Sequence, residues 1–385
     1  MKVFYLITED WYFWSHRLVL ARAARDAGHP VVLMTHVTEL GDAIRAEGFT
    51  LVPWSIDRGS MNPFKELKSF LAVLRAFRQH RPDVAHNVTL KSVLYGGLAA
   101  RVFGVPSLNA IAGLGLIFSR GSLRWKVVRG LLNTLLRLVF GSGRAIALFQ
   151  VESDRDILVE AGVVKLEDTA VIRGAGVDLA AFVVQPESNE VPVVVLAARL
   201  LWDKGIGDFV AAARLLRSRG VAARFALVGR FDPQNPGGVP EAEVEGWVKE
   251  GILEYGGLRE DMPAVLASCN ILCLPTFYGE GVPKILLEGG AAGRAIVATN
   301  IAGCREAVAH GESGLLVEPR DVPALADALQ SLLADPEQRK RMGEAGRRRA
   351  EACFSDKAVV AQTMELYSRI TRGKFATSSM RGPRG

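Results

Sequence analysis

Val191-Pro192-Val193-Val194-Val195-Leu196-Ala197-Ala198-Arg199-Leu200-Leu201-Trp202-Asp203-Lys204-Gly205 opens the second half of a 385-residue chain. Its apolar run is short and rich in valine, so it reads as a strand buried on both faces, the kind found in parallel sheets. A cationic loop and a helical stretch from Gly207 to Arg219 follow. The runs RFALVG, ILEY, ILCLP, AIVAT and GLLVE then alternate with helix-length segments such as Val322 to Leu333. That alternation builds βαβ units and a parallel sheet. Working back, the first half keeps the same rhythm: VFYLIT, a helix from Arg17 to Ala27 closed by Gly28, VVLMT from Val31, and strands at Asp83 to Asn87, Ser107 to Ile111 and Ala145 to Val151. A helix from Pro63 to Gln79 is capped by Asn62 and stops before Pro82.

Two doubly wound, Rossmann-like α/β domains are the expected architecture. The first spans residues 1–182 and the second 193–355, joined by a polar linker, 183–192, that carries Pro186 and Pro192. A helical stretch over 356–373 has no strand after it and is expected to pack back on the first domain. Residues 374–385 read as a basic, disordered tail.

With 49% hydrophobic and 23% charged residues the chain can bury a large core, which excludes a disordered or disulfide-stapled class. Its net charge of +6 is mild and does not call for nucleic acid. The distribution is more telling. Between Asp83 and Glu152 there is no acid, while Lys91, Arg101, Arg120, Arg124, Lys126, Arg129, Arg137 and Arg144 all fall there, so the rest of the chain is slightly acidic. From Trp125 to Phe140 the polar residues Lys126, Arg129, Asn133, Thr134 and Arg137 recur at helical spacing on an otherwise apolar helix. Such a helix either lies on an anionic membrane surface or packs on the sheet with its stripe solvated. Cys269, Cys273, Cys304 and Cys353 show no metal or redox spacing and are expected as reduced core thiols of a cytoplasmic protein. The N-terminus meets Glu9 and Asp10 too early for a signal peptide, and no apolar run is long enough for a membrane span.

The chemistry concentrates in two loops. Arg199 and Lys204 lie beyond the carboxyl end of VVVLAAR, the edge at which open α/β sheets bind ligands, and two cations there suit a phosphorylated ligand. After ILCLP comes Thr276-Phe277-Tyr278-Gly279-Glu280-Gly281-Val282-Pro283-Lys284-Ile285-Leu286-Leu287-Glu288. Pro283 suits a first helical position, the glycines permit close approach, and the free N–H groups of a new helix attract an anion. Two carboxylates beside such an end are better used on sugar hydroxyls than on phosphate.

EGVPKILLE (Glu280 to Glu288) resembles the Glu-x7-Glu motif of the retaining family 4 glycosyltransferases, and ARLLWDKG is similar to their G-R-L-x-x-x-K-G donor-phosphate motif, with Ala198 in place of the first glycine. RGAGVDLAAF (173–182) and GCREAVAHGESGLLV (303–317) resemble that family's interdomain and C-terminal segments. The resemblance implies the GT-B fold, two Rossmann-like domains facing across a cleft. It implies that Arg199 and Lys204 hold the donor diphosphate, Glu280 the donor sugar and Glu288 the ribose. The loop of Gly281, Val282, Pro283 and Lys284 would meet phosphate and sugar, and Gly229 would admit the nucleotide. No metal or other cofactor is implied, and the donor would be a UDP-sugar. RGSMNPFKELKSF (58–70), LKSVLYGGLAARVFGVP (90–106), AGLG (112–115), LLWDKG and NPGG (235–238) further resemble enzymes that extend undecaprenyl-diphosphate-linked saccharides. A lipid-linked saccharide acceptor is thereby implied, with peripheral attachment to the inner face of the cytoplasmic membrane. Candidates for acceptor contact are His16, Arg58, Lys91 and Arg120.

The sequence departs from the family after the first strand, where Thr8 to Arg17 contains no glycine, and at Ala112, where relatives carry histidine. A UDP-sugar epimerase of the same fold, a transferase with a soluble acceptor and a non-catalytic sugar-nucleotide binder are the competing readings. A glycosidase would use paired carboxylates but has no need of the Arg199 and Lys204 clamp.

Overall fold

The computed structural model describes residues 1–56, 62–113, 123–187, 191–233, 235–277 and 279–372. Among them the chain divides into two compact units, residues 1–175 with 357–372 and residues 176–356. Each contains one parallel sheet. In the first, β1 (Val3–Glu9), β2 (Val31–His36), β3 (Thr50–Pro53), β4 (Val84–Val88), β5 (Ser107–Ile111), β6 (Ala145–Phe149) and β7 (Thr169–Val171) are ordered β3-β2-β1-β4-β5-β6-β7. In the second, β8 (Val193–Ala197), β9 (Arg224–Val228), β10 (Glu254–Tyr255), β11 (Ile271–Leu274), β12 (Ala295–Thr299) and β13 (Gly314–Val317) are ordered β10-β9-β8-β11-β12-β13. The order reverses at β1/β4 and at β8/β11, the doubly wound pattern expected from the alternation.

The apolar runs follow from burial on both faces. Along β1, Val3, Tyr5 and Ile7 join one core with the helices Asp10–His16 and Leu18–Asp26, while Phe4 and Leu6 join another with Val73 and Phe77 of the helix Pro63–His80. That helix starts where its cap predicts, the Asn62 side chain accepting from the Phe64 N–H at 3.0 Å.

The division of the chain differs from the expected boundaries. Residues 176–182 belong to the second unit, because Val177 pairs with Ser355 and Arg347 donates to the Phe182 carbonyl at 2.7 Å. The first part of the expected linker is also bound to that unit: Glu187 pairs with buried Arg339 at 2.7 Å, and the Gln185 carbonyl accepts from Arg294. The last helix, Asp356–Ile370, contributes Val359, Met364 and Tyr367 to the core of the first unit.

Where a glycine-free loop was expected after the first strand there is no loop. β1 runs directly into Asp10–His16, and buried Asp10 accepts from the Thr38 N–H at 2.5 Å and its hydroxyl at 2.8 Å.

The acid-free segment spends much of its charge on backbone. Arg101 donates to the Leu138 carbonyl, Arg144 to that of Gly104, and Arg137 to those of Ala161 and Gly162, each at the carboxyl end of a helix. Cations there satisfy open carbonyls and oppose the helix dipole, contributing about 0.3–1 kcal/mol each. Arg137 therefore leaves the expected solvated stripe of the helix Leu123–Phe140, and Leu136, Val139 and Phe140 of that helix are buried. Cys353 is exposed rather than a core thiol, whereas Cys269, Cys273 and Cys304 are buried.

Candidate active site

The candidate site lies in the second unit, at the carboxyl ends of β8 and β11, which flank the reversal of strand order. Beyond β8 the backbone continues to pair: Leu200 N–H donates to Arg230, Trp202 N–H to the Gly237 carbonyl at 2.9 Å, and Val239 N–H to Leu200. The LLWDKG and NPGG segments are thus one structure, held edge to edge. A single 3₁₀ turn, Trp202–Lys204, reverses the chain, and Gly205 follows at φ +78°. A side chain at Gly205 would strain that conformation and place Cβ 2.0 Å from the Pro275 carbonyl oxygen.

The second loop closes on the first through the Asp203 carbonyl, which accepts from the Phe277 N–H and the Thr276 hydroxyl, both at 3.0 Å. This brings Glu280 to Lys204, 76 residues away in sequence, and the ammonium donates directly to Oε1 of the carboxylate. Lys204 is buried and Glu280 half-buried, so the pair presents one cation and one acceptor at a fixed place. Beside it, Arg199 Nη1 donates to Asp232 Oδ2 at 3.3 Å. Asp203 has a buried Oδ1 without a hydrogen-bond partner, and burial raises its pKa while Lys204 opposes the shift.

The helix Lys284–Ala291 begins one residue later than expected: Pro283 is its cap residue, with φ −64° and ψ 121°, rather than its first helical residue. Lys284 and Glu288, one turn apart, pair at 3.3 Å. Burial pushes the Glu288 carboxyl above the ordinary carboxylate range, and Lys284 only partly offsets this. Gly281 and Val282 are buried. The loop that holds them rests on Gly303, where a Cβ would stand 2.0 Å from the Gly281 carbonyl oxygen. Gly229 after β9 is equally confined, a Cβ there falling 1.8 Å from the Ala198 carbonyl.

The structure therefore gathers Arg199, Lys204, Gly229, Glu280, Gly281, Val282, Pro283, Lys284 and Glu288 onto neighbouring loops of one unit. Of the acceptor candidates, Lys91 and His16 lie in the first unit, each engaged by a neighbour. Lys91 pairs with Glu66 at 3.0 Å, and Glu66 also accepts from the Tyr95 hydroxyl, which joins two helices. His16 sits at the end of a helix rather than its start, stacked on Tyr12 at 4.3 Å and 2.6 Å from Ser15 Oγ. Arg58 and Arg120 lie outside the described residues. Sequence reasoning missed Asp203, Asp232, Thr276 and Gly303. Asp203, Thr276 and Gly303 stand inside segments already quoted, but Asp203 and Thr276 meet through a backbone carbonyl and a hydroxyl, and Asp232 acts through a partner that the linear order hides.

Comparison with known proteins agrees with this fold. Residues 191–335 match the family model described as Glycosyl transferases group 1, and residues 2–141 match Glycosyl transferase 4-like. The N,N'-diacetylbacillosaminyl-diphospho-undecaprenol α-1,3-N-acetylgalactosaminyltransferase of Campylobacter jejuni is 28% identical, with 97% of this chain and 100% of that protein covered. Among solved structures, sucrose-phosphate synthase from Thermosynechococcus elongatus superposes with a TM-score of 0.80 at 21% identity, covering 97% of this chain and 100% of that one. The Anabaena protein HepE in complex with UDP-glucose superposes with a TM-score of 0.75 at 18% identity, covering 96% and 100%.

Proposed function

The chain is a family 4 glycosyltransferase with the GT-B fold, and from that premise we propose that it carries a hexose or N-acetylhexosamine from a UDP-sugar to a lipid-diphosphate-linked saccharide, with retention and without a metal ion. The observation that supports the reading best is the Lys204–Glu280 pair, a phosphate-binding cation and a hydroxyl-binding carboxylate held on two adjoining loops. Arg199 and Lys204 stabilise the negative charge that grows on the donor phosphate as the anomeric carbon–oxygen bond breaks. Glu280 accepts from hydroxyls of the donor sugar and Glu288 from the ribose diol. The acceptor hydroxyl attacks from the face the phosphate leaves, and its proton passes to the departing phosphate oxygen, so no protein nucleophile takes part. The acceptor class is supported by the diphospho-undecaprenol in the Campylobacter relative's name, and the donor class by the UDP-glucose of the Anabaena neighbour.

A screen of sugar nucleotides against extracted undecaprenyl-diphosphate glycans, read by mass spectrometry with and without EDTA, tests this. One sugar should be added to a lipid-linked glycan, at the same rate in chelator. A free epimerised sugar nucleotide formed without acceptor would instead identify an epimerase.

A lipid-linked acceptor implies a membrane surface, proposed here as the inner face of the cytoplasmic membrane. No helix among the described residues is long and apolar enough to cross a bilayer. The helix Pro63–His80 offers a surface contact: Phe64, Leu67 and Leu71 are 82%, 54% and 40% exposed, beside exposed Lys65, Lys68, Arg75 and Arg78. Its one acid, Glu66, is bonded to Lys91 and Tyr95. Exposed apolar side chains among cations suit an anionic interface. The double variant Phe64→Glu/Leu71→Glu should lose several-fold in co-flotation with phosphatidylglycerol vesicles while keeping its circular dichroism. Unchanged flotation would remove this helix from the contact.

A further inference from the structure

The first unit holds a buried cation that no described carboxylate neutralises. Arg17, between the helices Asp10–His16 and Leu18–Asp26, is 4% exposed. Its guanidinium makes one side-chain hydrogen bond, from Nη1 to the His16 carbonyl at 3.1 Å, and its Nε is buried without a partner. Among the described residues no carboxylate pairs with it. An uncompensated buried charge costs several kcal/mol in general, so a site that keeps one usually supplies its counter-charge from elsewhere.

A second unpartnered polar atom stands nearby. His86 on β4 is fully buried, and its Nδ1 lies 2.6 Å from the Tyr367 hydroxyl, which is 3.0 Å from that of Tyr5. The Tyr367 hydroxyl donates to that of Tyr5 and meets the ring at Nδ1. Nε2 has no hydrogen-bond partner. Burial and the nearby Arg17 both push the His86 pKa down, so the ring is neutral.

Arg17 and His86 line one shallow depression open to solvent, together with Gln150 and Thr363 and with apolar side chains such as Leu20, Leu148 and Ile172. The depression lies toward the carboxyl edge of β4–β6, the ligand edge of a parallel sheet. We propose that Arg17 forms a subsite for a phosphate-class oxyanion, with the guanidinium as counter-charge and the neutral His86 ring beside it in the same wall. In the proposed reaction the diphosphate of the acceptor would be that anion. This attribution rests on the transferase reading, whereas the subsite does not.

Thermal unfolding of the full chain with inorganic pyrophosphate tests the subsite, in a Lys204→Ala background that weakens the other cationic loop. At ten times its dissociation constant the anion should raise Tm by about 3 °C. Adding Arg17→Met should abolish the rise yet leave the anion-free Tm unchanged or higher, because an unpaired buried charge is gone. Arg17→Lys, which keeps the charge, should retain part of the response and serves if the methionine variant does not fold. An equal rise with and without Arg17→Met, or no rise in either, overturns the proposal; the second result would mean that only water occupies the depression.

Steady-state kinetics of the single variant separates the anion's source. A tenfold or greater rise in acceptor KM with donor KM unchanged assigns the subsite to the acceptor diphosphate. A thermal response lost without any change in acceptor KM assigns it to free phosphate. If no acceptor turns over in the parent enzyme the transferase reading fails, and the thermal result still decides the subsite.

Discussion

Replacing Lys204 by alanine should lower kcat/KM by about 10²–10³-fold, the usual cost of removing one preorganised group that meets developing charge. Lys204 sits on a single turn closed by Gly205, and its ammonium is fixed by Glu280. Little reorganisation is therefore needed when charge grows on the donor phosphate, and the loss should fall on kcat more than on KM. Lys204→Arg should rescue little, since the side chain is 11% exposed and the planar fork needs room that the packed turn lacks. The alanine variant leaves Glu280 without its cation, but that carboxylate is 23% exposed and can rehydrate, so Tm should fall only slightly. Turnover close to that of the parent would remove Lys204 from the reaction.

Glu288→Gln should raise the donor KM by about 10–100-fold, because hydrogen bonds to a charged acceptor are worth about 1.5–3 kcal/mol. Its effect on stability should have the opposite sign. Burial raises the Glu288 pKa in the fold above its unfolded value, so ionisation in the fold costs stability. That cost is absent below the unfolded pKa and reaches its full size once pH has risen through the folded pKa. Glu288→Gln should accordingly unfold at a higher temperature than the parent near pH 7, and the advantage should vanish by about pH 4. A parallel loss of stability and donor affinity at neutral pH would show that Glu288 is structural, held for its pair with Lys284.

The central strands of both sheets were legible because each is written locally, whereas the edge strands β3 and β7, short and without a fully buried residue, gave no such run. An apolar run buried on two faces declares a central strand, and Asn62 before Pro63 declares a helix start. The donor loops were legible for the same reason: Arg199 with Lys204, and Glu280 with Glu288, each lie within a few residues of a strand end. Cation partners were not legible. Eight cations without an acid between Asp83 and Glu152 suggest a basic surface, yet Arg101, Arg137 and Arg144 are occupied by helix carbonyls and Lys91 by Glu66. A long cationic side chain can reach any acceptor within several ångströms, and which acceptor stands there is a property of packing.

By itself the sequence determined two parallel-sheet units, the strand ends at which the charged loops collect, and the residue types for which a sugar-nucleotide role is proposed. Tertiary structure alone decided that Glu280 reaches Lys204, that the last helix returns Tyr367 to His86 across 281 residues, and that Arg17 is buried with no carboxylate paired to it among the described residues. The physical reason is range. Periodicity and capping act over a few residues and can be read in order along the chain, whereas burial and charge pairing depend on which distant segments the folded sheets bring into contact.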